Sequence, residues 1–315
     1  MNDQWVPDRI MKYLRLWRMR LRKVPVPFVS EISLYDLLSF FIRGIIDGAI
    51  TSRAGSVSYS FFMAIFPALI FFFTLIPYIQ IEGFQKEIFE LLQNVMPPNS
   101  FEAVESTIRD IVTNKRGGLL SIGFIATLLF ATNGTLSLLS NFSYTTHSIE
   151  IKNFWNQYIT ALGLTLVLSV LTIIGTVLLL FSESVGNFLV EAGILERYMA
   201  ELLQIARAVI LILLIQISIS IIFRYGPTKE REWHFISPGS VLATLLMVGS
   251  SIAFGYYIEN FSQYNKLYGS IGTLLIIMLW IYINSLGLII GFELNASIVG
   301  AKKKVREKQE NSSKL

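Results

Sequence analysis

The chain has 315 residues, of which 53% are hydrophobic and 15% charged, and its mean hydropathy is +0.57. A soluble domain carries about 25% charged residues, and long uncharged apolar runs recur here, so the composition excludes a soluble globule and predicts a polytopic, all-α membrane protein. The absence of cysteine excludes disulfides, thiol catalysis and cysteine metal ligands, and the net charge of +4 matters less than where the basic residues lie.

The first about 50 residues lack the short apolar core and small-residue cleavage site of a signal peptide, so none is expected. Residues 8–23 place Ile10, Leu14, Trp17 and Leu21 on one helical face, surrounded by Arg9, Lys12, Arg15, Arg18, Arg20, Arg22 and Lys23. This pattern suits a helix lying on the anionic lipids of the inner leaflet. A solvated topology signal is the alternative. A nucleic-acid arm rests on one short basic stretch, so no nucleic-acid partner is expected. Val24-Pro25-Val26-Pro27 breaks the helix, and Ser33 is placed to cap a second one carrying Leu34, Leu37, Leu38, Phe41 and Ile45. That helix is too short and too charged (Asp36, Arg43, Asp47) to span, and reads as an interfacial elbow. Residues 1–53 thus form a cytoplasmic basic and elbow region.

A six-helix transmembrane domain is expected over 54–300, with the first span at 54–80. Pro67 lies inside that span and removes a backbone hydrogen bond, while Ser52, Ser56, Tyr59 and Ser60 make its entry half polar at helical spacing. The loop 81–118 carries two amphipathic stripes, Phe84, Ile88, Leu91, Val95 and then Phe101, Val104, Ile108, Ile111, split by Pro97-Pro98. The second span, 119–140, is apolar to Phe130, and the stretch from Asn133 to His147 is then polar through Asn133, Thr135, Ser137, Asn141, Ser143, Tyr144 and Thr145, a half expected to face other helices rather than lipid. The third span is 157–182. The fourth, 202–223, contains Arg207, which either snorkels to the interface or pairs with Glu183 or Glu259. Ser237-Pro238 starts the fifth, 238–260, as N-cap and N1. The sixth is 268–300, followed by a basic tail, 301–315. Its polar, aromatic lead-in (Tyr264, Asn265, Tyr268) runs into an apolar stretch that ends on Glu293 and Asn295.

With both termini cytoplasmic, the inner segments hold 19 of the 26 lysines and arginines and the outer loops six, which satisfies the positive-inside rule. This orientation gives each polar residue a depth. Arg53, Ser56, Tyr59, Ser60, Asn133, Asn141, Gln216, Arg224, Asn284, Glu293 and Asn295 fall in the inner half; with Pro67 they form a candidate inner cavity or gate. Arg207, Glu259, Tyr264, Asn265 and Tyr268 form a candidate outer entrance. A carboxylate near the end of a spanning helix is costly unless paired or hydrated, and Arg53 and Arg224 are the nearest cations in depth to Glu293. Either the polar residues line a hydrated inward-facing path gated by that pair, or they form a buried network that holds the helices together. Gly287-x-x-x-Gly291 permits close helix approach, internally or in a homo-oligomer.

There is no phosphate-loop glycine pattern, no HExxH and no paired CxxC, and His147 and His234 are the only histidines. No catalytic residue, metal or cofactor is expected.

Four stretches resemble the YihY/BrkB family of six-span bacterial inner-membrane proteins. They are Ala54–Tyr59 through Phe66-Pro67, Asn141–Tyr144, Tyr225-Gly226-Pro227, and Tyr264-Asn265 to Gly272, continuing to Leu279–Tyr282 and Gly291–Asn295. The likeness runs from about residue 40 to 300, with departures at Phe130-Ala131-Thr132 and Lys152. The resemblance implies a bacterial cytoplasmic membrane protein linked to envelope integrity, serum resistance and, in one branch, export of a lipid A precursor. The family also carries an old ribonuclease label, for which this sequence offers no histidine–aspartate cluster. Two functions follow: a transporter or flippase for a lipid or other amphiphile, or a non-transporting scaffold for envelope assembly.

Overall fold

A computed structural model describes residues 25–26, 29–79, 89, 98–145, 153–191, 197–226, 234–260 and 270–313. The basic helix expected at 8–23, the stripe at 84–95, His147, and Tyr264, Asn265 and Tyr268 lie outside the described residues. The elements in chain order are β1 (Pro25–Val26), β2 (Val29–Ser33), α1 (Leu34–Asp47), α2 (Ile50–Leu75), a 3-10 turn (Ile76–Tyr78), α3 (Pro98–Thr113), α4 (Gly117–Ser143), α5 (Phe154–Glu191), α6 (Arg197–Tyr225), α7 (Pro238–Asn260) and α8 (Ser270–Ser313). Six of the helices are long and apolar enough to cross a membrane: α2, α4, α5, α6, α7 and α8.

Three boundaries differ from the sequence expectation. Pro25, expected only to break a helix, lies in a small antiparallel ladder, Pro25 opposite Ser33 and Val26 opposite Val29, because an edge strand tolerates a residue without an N–H. The first span begins at Ile50 rather than 54, which puts Arg53 inside the helix. The sixth runs unbroken to Ser313, so the expected basic tail continues the spanning helix. Residues 301–313 are rich in strong helix formers, and Ala301 and Val305 pack with Leu37 and Ile298.

Neighbouring spans are antiparallel and close into a circuit. Gly134 lies against the Phe61 ring and Gly123 against the Phe71 backbone, joining α4 to α2. Thr135 meets Thr165 (α4 to α5), Gly175 faces Leu211 and Leu214 (α5 to α6), and Gln216 meets Ser240 and Thr244 (α6 to α7). Gly291 packs on Gly239 and Ala243 (α7 to α8), and α8 returns to α2 where Glu293 meets Arg53. We call the end holding this last contact basal, and the opposite end apical.

The core is concentrated at the basal end, where α8 is buried on nearly every side from Asn284 to Ile298. Its centre is three fully buried rings: Phe142 stacks on Phe292 at 4.1 Å and 4°, and Phe223 meets them edge-on at 5.5 Å and 5.7 Å. Edge-to-face and stacked rings of this kind contribute about 0.5–1.5 kcal/mol beyond the area they bury. α1 lies across the same end. Leu37 is buried against α8, while Leu38, Ile42 and Ile46 form an exposed second stripe at i, i+4 and i+8, as an interfacial elbow requires.

Candidate functional site

Glu293 is fully buried and paired with Arg53, itself 5% exposed. The α1–α2 turn puts the arginine there: Ala49 takes a left-handed backbone (φ 46), and α2 starts immediately after it. Arg53 sits one turn in, and its guanidinium folds back. Nε donates to the Asn141 carbonyl at 2.9 Å, and Nη1 donates to the Gly48 carbonyl at 3.2 Å and to Glu293 Oε2 at 3.3 Å. Thr145 donates to Glu293 Oε1 at 2.9 Å. Gly44 of α1 covers the carboxylate, for any side chain at that position would overlap it. The pair therefore ties four elements together: α1, α2, the end of α4, and α8. Breaking a buried pair by removing one partner costs about 3–5 kcal/mol, because the other charge is left behind.

A second polar cluster joins α6, α7 and α8. Gln216 donates to Ser240 at 2.9 Å and accepts from Thr244 at 2.7 Å. Ser237 and Ser240 cap the start of α7 reciprocally, each backbone N–H donating to the other's hydroxyl. Asn295 of α8 accepts from the Gly239 N–H at 2.8 Å and donates to the Ser237 hydroxyl at 2.7 Å. Gly291 and Gly287 press α8 onto α7, Gly291 against Gly239 and Ala243 and Gly287 against Leu246, so the GxxxG face is occupied within the chain. Asn284 donates to the Trp280 carbonyl of its own helix, and its Oδ1 has no hydrogen-bond partner among the described residues.

The expected inner residues are divided between these clusters. Arg53, Asn141 and Glu293 are buried in one, half-buried Gln216 and buried Asn295 join the other, and Asn284 stands apart. Arg224 is not the partner of Glu293; its guanidinium lies 6.0 Å from the Tyr225 ring. Pro67 lies inside α2, away from both clusters. Of the outer group, Arg207 is half-buried on α6, and the Glu183 and Glu259 side chains lie outside the described residues.

A further correction concerns the polar halves of α2 and α4, which sequence reasoning turned inward. On α2, Arg53, Ala54, Val57 and Ser58 are buried, whereas Ser52, Ser56 and Tyr59 are exposed on the opposite face, with Ser60 half-buried beside them. On α4, Thr132, Thr135, Leu138 and Leu139 are buried, and Asn133 and Tyr144 are exposed. The two helices are joined beside these rows, where the Ser137 hydroxyl donates to the Ser56 carbonyl at 3.4 Å and Asn141 Nδ2 to Ser56 Oγ at 3.5 Å, which makes one polar strip of them. Tyr59 and Asn133 lie nine and ten residues from the basal ends of their helices. By helical rise that is roughly 14–15 Å, about half the thickness of a hydrocarbon core.

Sequence reasoning missed Gly44, Ser240 and Thr244, and it read Ser237 only as the cap of α7. A glycine inside an amphipathic elbow was the available signal for Gly44, because such a residue weakens a helix unless something approaches it closely. Thr145 was legible only as one of the polar residues ending the second span. Among the described residues, no group of three or more His, Cys, Asp or Glu side chains is placed to hold a metal ion.

The sequence pattern of the family described as virulence factor BrkB matches residues 41–314. The ribonuclease-like protein YfkH of Bacillus subtilis (strain 168) is 28% identical over 253 residues, covering 80% of this chain and 91% of YfkH. The UPF0761 membrane protein Smlt0865 of Stenotrophomonas maltophilia (strain K279a) is 26% identical over 271 residues, 82% of this chain and 60% of that protein. The UPF0761 membrane protein XAC0937 of Xanthomonas axonopodis pv. citri (strain 306) is 23% identical over 294 residues, 91% of this chain and 65% of that protein. The chain thus spans less than two thirds of these two UPF0761 relatives. No solved structure matches it. With a match from the elbow helix to the end of α8, this six-span membrane protein belongs to the BrkB virulence factor family.

Proposed function

We propose that the protein moves a lipid or other amphiphile across the bacterial cytoplasmic membrane in envelope maintenance, and that it does so without enzyme chemistry. The observation that carries this reading is the strip of exposed polar side chains on the outer face of α2 and α4. Uncharged polar side chains facing hydrocarbon at that depth are costly and need a partner. A head group travelling with its tails still in the bilayer is one that fits a polar strip open to lipid. The basal end faces the cytoplasm in this reading, supported by the excess of lysine and arginine in the segments on that side.

Reconstitution into liposomes, with head-group accessibility followed over time, tests it. Leaflet exchange faster than in protein-free liposomes is expected. Tyr59→Leu with Asn133→Leu should slow that exchange while leaving the protein folded, since both side chains are exposed. Exchange no faster than in protein-free liposomes overturns transport. The basal clusters favour a second reading, a non-transporting membrane scaffold, and that outcome would leave it standing.

A further inference from the structure

Arg53 is only partly used. A guanidinium has five N–H groups in a planar fork, and buried arginine–carboxylate pairs usually engage two of them side by side. Here a single nitrogen, Nη1, reaches Glu293, at a long 3.3 Å, and the other carboxylate oxygen belongs to Thr145. Nη2 is buried and has no hydrogen-bond partner among the described residues. An unsatisfied donor of this kind is costly, and more so when it is charged.

The surroundings of that donor favour an anion. Because Nη1 also donates to the Gly48 carbonyl, the guanidinium is held beside the N-terminus of α2. That terminus has no side-chain cap and no acidic residue in its first turn. Backbone N–H groups at a helix start attract oxyanions, and here an arginine fork joins them. Glu293 is the only acidic side chain that the structure pairs with Arg53 among the described residues. The approach is short: Nε of Arg53 donates to the carbonyl of Asn141, whose amide touches exposed Ser56 of the polar strip. One residue separates the cation from the lipid-facing surface.

We propose that Arg53 and the first turn of α2 form a recessed phosphate-binding site at the basal end of the polar strip. Glu293 is its resident counter-charge, and an incoming phosphate exchanges with that carboxylate. Thr145 still holds Glu293 after the exchange. The proposal rests on the amphiphile reading for its route of access and gives that substrate a phosphate-bearing head group. No covalent step is involved.

The test uses the full-length protein in phosphatidylcholine nanodiscs, with two probes: phosphatidate at about one lipid in ten, and inorganic phosphate in solution. Thermal unfolding and the lipid retained on purification are read together. Phosphatidate is expected to raise the unfolding temperature of the wild type. Glu293→Gln, which removes the competitor, should bind it about tenfold more tightly. The neutral pair Arg53→Gln with Glu293→Gln should lose the shift. An equal shift from inorganic phosphate makes free phosphate a ligand; a shift from phosphatidate alone makes the head group the ligand. No shift with either probe overturns the site, as does an undiminished shift in the folded neutral pair. If that pair does not fold, Arg53→Lys replaces it. Lysine keeps the charge without the fork, so unchanged affinity in Arg53→Lys overturns the proposal. Leaflet exchange distinguishes the two failures. Binding without exchange in the wild type sinks transport and leaves the site, and exchange by a wild type that binds neither probe sinks the site and leaves transport.

Discussion

The basal and apical halves of the same six helices are held by different forces. In the basal half, side chains bond from helix to helix: Arg53 to Asn141 and Glu293, Thr145 to Glu293, Thr135 to Thr165, Gln216 to Ser240, and Asn295 to the start of α7. In the apical half of α5, Ser169, Thr172 and Thr176 each donate to the carbonyl four residues back on their own helix. Among the described residues, burial on α5 stops at Thr165 and on α6 begins at Ile219. Lipid tails are as apolar as leucine, so apolar contact alone gives little drive to keep helices together in a bilayer. On α5 and α6 the basal half is therefore the more firmly held, whereas α2 and α4 stay packed toward the apical end, where Gly123 lies on the Phe71 backbone.

Substitutions can break or sharpen this contrast. The largest effect is expected from Arg53→Ala, which strands a buried carboxylate and should lower stability by about 3–5 kcal/mol. Unfolding followed by tryptophan fluorescence in detergent measures it; a loss under 1 kcal/mol would mean that water already reaches the pair. Thr145→Val removes a hydrogen bond to a charged acceptor and should cost about 1.5–3 kcal/mol in the same assay. Gly291→Ala places a methyl against the Gly239 carbonyl and the Ala243 Cβ, so α7 and α8 must separate. Overpacking of this kind costs about 1–3 kcal/mol, whereas Gly249→Ala, with no atom within 4 Å of the new methyl, should be neutral or stabilising. The smallest change is expected from Thr172→Val in the apical half, within about 0.5 kcal/mol. A Thr172→Val loss as large as that of Thr145→Val would erase the difference between the two ends.

The six spans were legible because twenty-residue apolar runs leave little else to do in water. Glu293 stood out in the sequence for the same reason, as a charge where charge is costly, and Arg53 followed from matching depth. Depth cannot say which way a side chain points. Asn133 and Asn141 lie two turns apart on α4 with the same chemistry, yet one is exposed and the other buried. The packing of Gly134 on Phe61 and Gly123 on Phe71, with Thr135 on Thr165, sets the rotation of that helix, and such contact partners leave no trace in local sequence. The Ser237–Ser240 cap was half-visible: Ser237-Pro238 marked the helix start, but the reach of Asn295 across 58 positions required the fold.

The unbroken α8 has a mechanical consequence. Its 44 residues make a rod of about 66 Å, and about 33 Å of it extends beyond Gly291. The two glycines that seat it on α7 act as a fulcrum, and the charged segment ending at Ser313 is the lever arm. A tilt of about 5° at the fulcrum sweeps the far end by about 3 Å. A label near Ser313 would thus report, on the aqueous side, rearrangements that begin beside Glu293.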